Sequence, residues 1–90
     1  MNKQNSALQT YLINLTEQYR QELHYTQERM AEQLHITARA YNNIKQGRHA
    51  LSASTFLFLL LSMPDTKATQ VLHELKALLQ TADEDVTTVS

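Results

Sequence analysis

The chain of 90 residues contains no cysteine, so it can form one domain with one hydrophobic core but no disulfide, thiolate zinc site or cysteine nucleophile. One glycine and one proline are too few for strands joined by tight turns, and they exclude a glycine-rich phosphate loop, so the composition predicts an all-α fold. The net charge is −1, but basic residues outnumber acidic ones by five to three between positions 20 and 50, and acidic residues outnumber basic ones by five to two from position 65 onward.

Hydrophobic periodicity predicts three helices in the first half of the chain. The first extends from about Ser6 to Leu23. The second begins at Thr26, a good N-cap, and its apolar pattern stops just before residue 37. The third begins at a second threonine cap, Thr37, and Gly47 suits the left-handed position that closes a helix. The residues expected to face the core are Leu8, Leu12, Leu15, Tyr19, Leu23, Met30, Ala31, Leu34, Ala40, Tyr41 and Ile44.

Two further helices are predicted after Gly47. The fourth begins near Ser52 or Ser54 and ends at Pro64, because the residue before a proline disfavours helical geometry. The fifth starts after Asp65, a candidate cap, and covers about residues 66–80. We expect residues 1–81 to form a single domain. We expect the acidic tail, residues 82–90, to be disordered because it has little apolar surface to bury.

A connection of about three residues joins the second and third helices, which predicts a helix-turn-helix unit over about residues 26–47. The segment from Arg20 to Met63 resembles the Cro/repressor (XRE-type) helix-turn-helix family of phage-repressor-like regulators. The resemblance implies a five-helix domain that binds double-stranded DNA and has a C-terminal dimerisation or capping helix. The residues that carry it are Arg20, Thr26-Gln27-Glu28, Ala31, Leu34, Ile36-Thr37, Ile44, Gly47, Ser52, Phe56, Leu59 and Met63.

Three positions depart from the family pattern. The family often has glycine where this chain has His24 and His35, so we expect His35 to occupy a turn that often needs a positive φ. Lys45 replaces a glutamate that is common before the closing glycine. These departures leave the DNA-facing positions in place.

The resemblance implies that the third helix enters the major groove while the second crosses the DNA backbone. On the outward face of the third helix, arginine can pair with guanine, asparagine with adenine, and a methyl group with thymine, so the base-reading candidates are Ala38, Arg39, Asn42 and Asn43. The phosphate candidates lie at helix N-termini and in the loop after the third helix: Gln27, Thr37, Lys45, Arg48 and His49. An ordinary solvated helix face and a solubilising loop are the alternative reading of these residues.

The fourth helix is apolar in every direction from Phe56 to Leu61, and a helix that is apolar all round must be covered all round. We expect Phe56, Leu59, Leu60 and Met63 to face the core. The fifth helix is expected to pack on the fourth, and the remaining apolar surface to form a twofold dimer. The predicted dimer interface consists of Leu57, Phe58, Leu61, Leu72, Leu75 and Leu79. A monomer in which the fifth helix covers the fourth is the alternative.

Enzymes, metal proteins and membrane proteins have little support in the sequence. The four histidines are dispersed, so we expect no metal site and no cofactor, and neither an acid–base pair nor a nucleophile elbow suggests catalysis. The N-terminus has no apolar core and the longest apolar run is too short to cross a bilayer, so we expect a cytoplasmic protein without membrane contacts.

The sequence therefore predicts a sequence-specific transcription regulator, a repressor that reads a near-palindromic operator as a homodimer. One alternative is an antitoxin-type autoregulator whose C-terminal tail binds a protein partner. The other is a helical protein-interaction module without DNA binding. The near-neutral charge favours this second alternative, whereas the polar outward face of the third helix disfavours it.

Overall fold

The computed structural model describes the backbone of residues 3–87 and the side chains of residues 6–80. Five helices form the regular secondary structure of this part of the chain: α1 (Lys3–Glu22), α2 (Gln27–Gln33), α3 (Ala38–Lys45), α4 (Ala53–Ser62) and α5 (Asp65–Thr87). The prediction of an all-α, five-helix fold is confirmed.

Side-chain caps determine where the three short helices begin. The hydroxyl oxygens of Thr26 and Thr37 each accept a hydrogen bond of 3.0 Å from the backbone N–H three residues later. The hydroxyl oxygen of Ser52 accepts a hydrogen bond of 3.2 Å from the backbone N–H of Thr55. Of the two predicted candidates, Ser52 and Ser54, it is therefore Ser52 that caps α4. Each cap satisfies one of the N–H groups that the first turn leaves without a partner. Asp65 was predicted to cap α5, but this prediction is wrong, because Asp65 is itself the first residue of that helix.

One residue with a left-handed backbone conformation lies in each of three connections: before α2, before α3 and after α3. They are His24 with φ 58°, His35 with φ 62° and Gly47 with φ 79°. The expectation that His35 occupies a position of positive φ is confirmed, and His24 does the same. Glycine adopts this conformation freely, whereas a residue with a Cβ incurs a cost of about 1–2 kcal/mol.

The hydrophobic core draws on all five helices. Met30, Leu34, Tyr41 and Leu59 are almost completely buried at its centre. On α4 the predicted inward face is confirmed, because Leu59 and Met63 are buried while Phe56 and Leu60 pack against the core. The buried apolar residues are Leu12, Leu15, Tyr19, Met30, Ala31, Leu34, Tyr41, Ile44, Leu51, Leu59, Met63, Val71 and Leu75.

The main packing partner of α5 is α1, and not α4 as predicted. The hydroxyl of Tyr11 donates to Oε1 of Glu74 at 2.6 Å. Nζ of Lys67 lies 3.5 Å from Oε1 of Glu22 and 5.6 Å from the centre of the Tyr19 ring. These contacts link α5 to α1 along their length. The sequence predicts that one apolar face of α5 is formed by Val71, Leu72, Leu75, Leu78 and Leu79. Val71 and Leu75 are buried and Leu78 and Leu79 half-buried, but Leu72 is exposed.

The C-terminal helix is longer than predicted. It ends at Thr87, whereas the sequence placed its end near residue 80. The predicted acidic tail, residues 82–90, therefore overlaps the last turns of α5. The side chains of residues 81–90 lie outside the described residues, so the expected disorder of this tail stays a prediction.

Candidate nucleic-acid interface

The pairing of α2 with α3 presents one face of α3 to the outside. The two helices pack against each other and are joined by the four residues 34–37. α2 is fixed to the core by Met30 and Ala31, and α3 by Tyr41 and Ile44. Since the apolar residues of α3 face inward, its polar residues are left on the opposite face.

The predicted base-reading residues occupy this outward face. Ala38, Arg39 and Asn42 are exposed, and within the described residues no side chain is hydrogen-bonded to Arg39 or Asn42. Asn43 is half-buried, and its Oδ1 accepts a long hydrogen bond of 3.5 Å from Nη1 of Arg48. Gln46 is exposed one turn after Asn42 and shares its face, as the helical period predicts, although it is not one of the four base-reading candidates.

Two of the predicted phosphate contacts lie at helix N-termini. Thr37 is exposed, and because its oxygen accepts from the N–H of Ala40, its own O–H remains available to donate. Gln27 is the first residue of α2 and is half-buried. Both residues therefore lie where backbone N–H groups and the helix dipole attract an anion.

Of the other three predicted phosphate contacts, two lie together in the loop after α3 and the third lies on α3 itself. Arg48 and His49 are exposed in the loop after α3, where their backbone N–H groups donate to the carbonyl of Asn43 at 2.9 and 3.3 Å. They line one side of a cleft of about 300 Å³ between this loop and the N-terminal half of α1. Lys45 is half-buried and lies on the side of α3 that faces Glu17 of α1.

A carboxylate on α1, that of Glu17, is hydrogen-bonded to side chains of both α1 and α3. Nε and Nη2 of Arg20 donate to the two carboxylate oxygens of Glu17 at 3.1 and 3.0 Å, and the hydroxyl of Tyr41 donates to the same carboxylate. Nη1 of Arg20 donates to the carbonyl of Tyr25 at 2.8 Å. We call Glu17, Arg20 and Tyr41 the Glu17 clamp.

Arg20 was predicted through the family resemblance and Tyr41 as a core residue, but Glu17 was not predicted. Two signals pointed to it. Glu17 precedes Arg20 by three residues on one helix, a spacing that favours an ion pair. Lys45 stands where the family has a glutamate, so a carboxylate was absent from α3. In this fold α1 supplies a carboxylate beside that position.

The surroundings of Glu17 favour its charged form. Burial alone raises the pKa of Glu17, but hydrogen bonds from Arg20 and Tyr41, together with the positive charges of Arg20 and Lys45, outweigh burial and hold that pKa below its usual value. Burial and the hydrogen bond to Glu17 raise the pKa of Tyr41. At neutral pH the clamp therefore joins an ionised acceptor to a protonated phenol, a charge-assisted arrangement.

Large apolar side chains remain exposed on α4 and α5. We call Leu57, Phe58 and Leu61 the α4 patch; Leu57 is 57% and Leu61 79% exposed, and the Phe58 ring lies 4.3 Å from the ring of His35. On α5, Leu72 is also exposed. Of the other two residues in the predicted dimer interface, Leu79 is half-buried and Leu75 instead belongs to the chain's own core.

Residues 13–84 match a family model described as a helix-turn-helix domain. The match covers most of the chain and includes α2, α3 and the turn between them in full. The chain belongs to this family. The match supports the resemblance to the Cro/repressor-like, XRE-type members. Among curated proteins and solved structures, none matches the chain.

The helix-turn-helix family consists of DNA-binding regulators, so DNA binding and transcription regulation are the functional class of this protein. Among the described residues, no helix combines the length and the apolar character that crossing a bilayer requires. Nor do three side chains of the metal-ligating kinds come together in this part of the chain.

Proposed function

We propose that this helix-turn-helix protein is a cytoplasmic transcription repressor that reads a near-palindromic operator in double-stranded DNA as a homodimer. The observation that carries the proposal is the outward face of α3, on which Arg39 and Asn42 are exposed without side-chain partners among the described residues. Such a face on the second helix of the unit is the one that enters the major groove.

Arg39 and Asn42 supply sequence preference. The fork of an arginine matches the two acceptors of guanine, and the amide of an asparagine matches the donor and acceptor of adenine. They lie three residues apart on α3, so their side chains lie on neighbouring positions of one helix face. Ala38 and Asn43 extend this face, and Asn43 reaches a base once its long contact with Arg48 opens.

Thr37, Gln27, Arg48 and His49 supply affinity that does not depend on sequence. The first two offer donors at helix N-termini, and the other two offer positively charged or donor groups in the loop that follows α3. The proposed phosphate contacts therefore lie on both sides of α3 along the chain, one set before or at its start and the other in the loop after its end. Lys45 contributes mainly through its charge because it is half-buried beside Glu17.

The α4 patch and Leu72 supply the dimer contact. A water-facing leucine such as Leu61 costs free energy that a second copy of the chain relieves by covering it. A twofold dimer would place two copies of α3 about 34 Å apart, one turn of DNA, which is why the operator is expected to be near-palindromic.

The experiment is selection from a library of random duplexes at low and at moderate salt. We expect enrichment of a motif with two related half-sites, and we expect Arg39→Ala to lose about 1–3 kcal/mol of preference at one position of each half-site. Lys76→Ala is the matched control, because it removes one exposed positive charge from α5. It is expected to select the same motif as the wild type. Selection of the unchanged motif by Arg39→Ala would contradict base reading by α3.

A further inference from the structure

We propose that Glu17 is a positioning residue for DNA recognition, which sets the place of α3 relative to the first turn of α2. The proposal rests on the proposed function and adds to it a residue that faces away from the DNA. It concerns specificity, because the Glu17 clamp connects α3, which is proposed to contact bases, to the start of α2, which is proposed to contact phosphates.

The clamp joins three segments of the chain: α1 and α3 meet at the Glu17 carboxylate, and Arg20 extends the link to the connection before α2. On α1, Glu17 accepts from both Nε and Nη2 of Arg20, and both side chains are less than one-fifth exposed. From α3, the buried ring of Tyr41 brings its hydroxyl to the same carboxylate. The free Nη1 of Arg20 reaches the carbonyl of Tyr25, in the connection before α2.

Each end of the clamp lies next to a candidate DNA contact. Tyr41 is the neighbour of Asn42 on α3, and Tyr25 precedes Thr26, the cap of α2, and Gln27. A shift of Tyr41 against Arg20 would therefore change the distance between base-reading side chains and the phosphate contact at α2. The charged partners make this linkage stronger and more directional than apolar packing alone.

Loss of the clamp has different consequences for the two modes of DNA binding. Binding to a specific site requires α3 at one depth and angle in the groove, whereas non-specific binding depends on the number of phosphates neutralised. Glu17→Gln leaves one acceptor oxygen and turns an amide towards Arg20. It also removes a negative charge, which by itself attracts DNA slightly more strongly.

The test measures the affinity of the wild type and three variants for the selected motif and for a random duplex at one salt concentration. For Glu17→Gln we expect the ratio of specific to random affinity to fall about tenfold, the size of one lost charge-assisted hydrogen bond, while affinity for the random duplex stays equal or rises. Tyr41→Phe keeps the buried ring and removes only the hydroxyl, so the ratio is expected to fall in the same direction. Glu22→Gln removes the same charge from α1 outside the clamp, at the loss of its 3.5 Å ion pair with Lys67 of α5, and is expected to leave the ratio unchanged.

The outcomes separate the possible failures. Partial unfolding would lower both affinities by the same factor, so an unchanged ratio in Glu17→Gln and Tyr41→Phe overturns the positioning role while wild-type operator binding still supports the proposed function. An equal fall of the ratio in Glu22→Gln also overturns it, because the effect would then be one of net charge. If the wild type shows no preference for any duplex, the proposed function and the positioning role both fail.

Discussion

At the residue scale, two histidines hold left-handed conformations, and His24 gives the simpler measurement of their cost. Its φ is 58° and it is exposed, whereas His35 also contacts the Phe58 ring. Glycine at position 24 would remove a strain of about 1–2 kcal/mol and add about 0.5–1 kcal/mol of unfolded-chain entropy. We therefore expect His24→Gly to raise the free energy of unfolding by about 0.5–1 kcal/mol in urea denaturation.

Two further substitutions serve as controls for this measurement. His24→Val should destabilise the protein, because a β-branched residue tolerates positive φ poorly. His35→Gly should gain less than His24→Gly, because it also loses the contact with Phe58. A lower stability of His24→Gly than of the wild type would contradict the left-handed conformation of this connection.

The outward residues of α3 could be predicted one by one, because the helical period decides which side chains lie opposite Tyr41 and Ile44. The partner of Glu17 on α3 could not be predicted. Its hydrogen bond to Tyr41 joins residues far apart in the chain and depends on how α1 crosses α3. The half-buried position of Lys45 follows from the same crossing of α1 and α3, so it could not be predicted from the sequence either.

At the element scale, the packing of α5 on α1 buries one residue of α5 and leaves the next residue exposed. Val71 is 2% exposed in the core, and Leu72 is 52% exposed. We expect Val71→Ala to lower the free energy of unfolding by about 1–3 kcal/mol through lost burial and a cavity. Leu72→Ala should change it by less than about 0.5 kcal/mol when the protein is dilute enough to be monomeric. Equal costs for the two substitutions would contradict this orientation of α5.

The starts of α2, α3 and α4 were predictable because capping is local, whereas α1 begins at Lys3 and not near Ser6 as predicted. The threonines at the starts of α2 and α3 act within three residues of themselves, and the apolar stripes continue from there. The neighbour of α5 and its end at Thr87 were not predictable. The choice between α1 and α4 depends on long-range contacts such as that of Tyr11 with Glu74. Beyond residue 80 no apolar stripe marks where the helix ends.

At the scale of the whole molecule, the exposed α4 patch predicts self-association. We expect the wild type to sediment as a dimer at micromolar concentrations and Leu61→Lys as a monomer, because the substitution places a charge in the middle of the apolar contact. Asn14→Lys is the matched control, since it adds the same charge at an exposed position of α1. Dimers of unchanged affinity in Leu61→Lys would exclude the α4 patch as the interface.

The charge distribution also belongs to this scale. The basic excess between residues 20 and 50 coincides with α2, α3 and the loop that carries Arg48, whereas the acidic excess of the C-terminal part comes from residues 83–85, whose side chains lie outside the described residues. A net charge of −1 therefore hides an uneven distribution of charge along the chain, with the basic excess in the segment that contains α2 and α3. This location of charge along the chain could be predicted from the sequence alone.

The measurement that tests sequence-specific DNA binding most directly is the affinity of the wild type for its selected motif and for a random duplex, each over a range of salt concentrations. We predict tighter binding to the motif by at least about 10³-fold at moderate salt, with both affinities falling as salt rises. Equal affinities for the two duplexes at every salt concentration, or binding to neither at low salt, would contradict a regulator that reads DNA through α3.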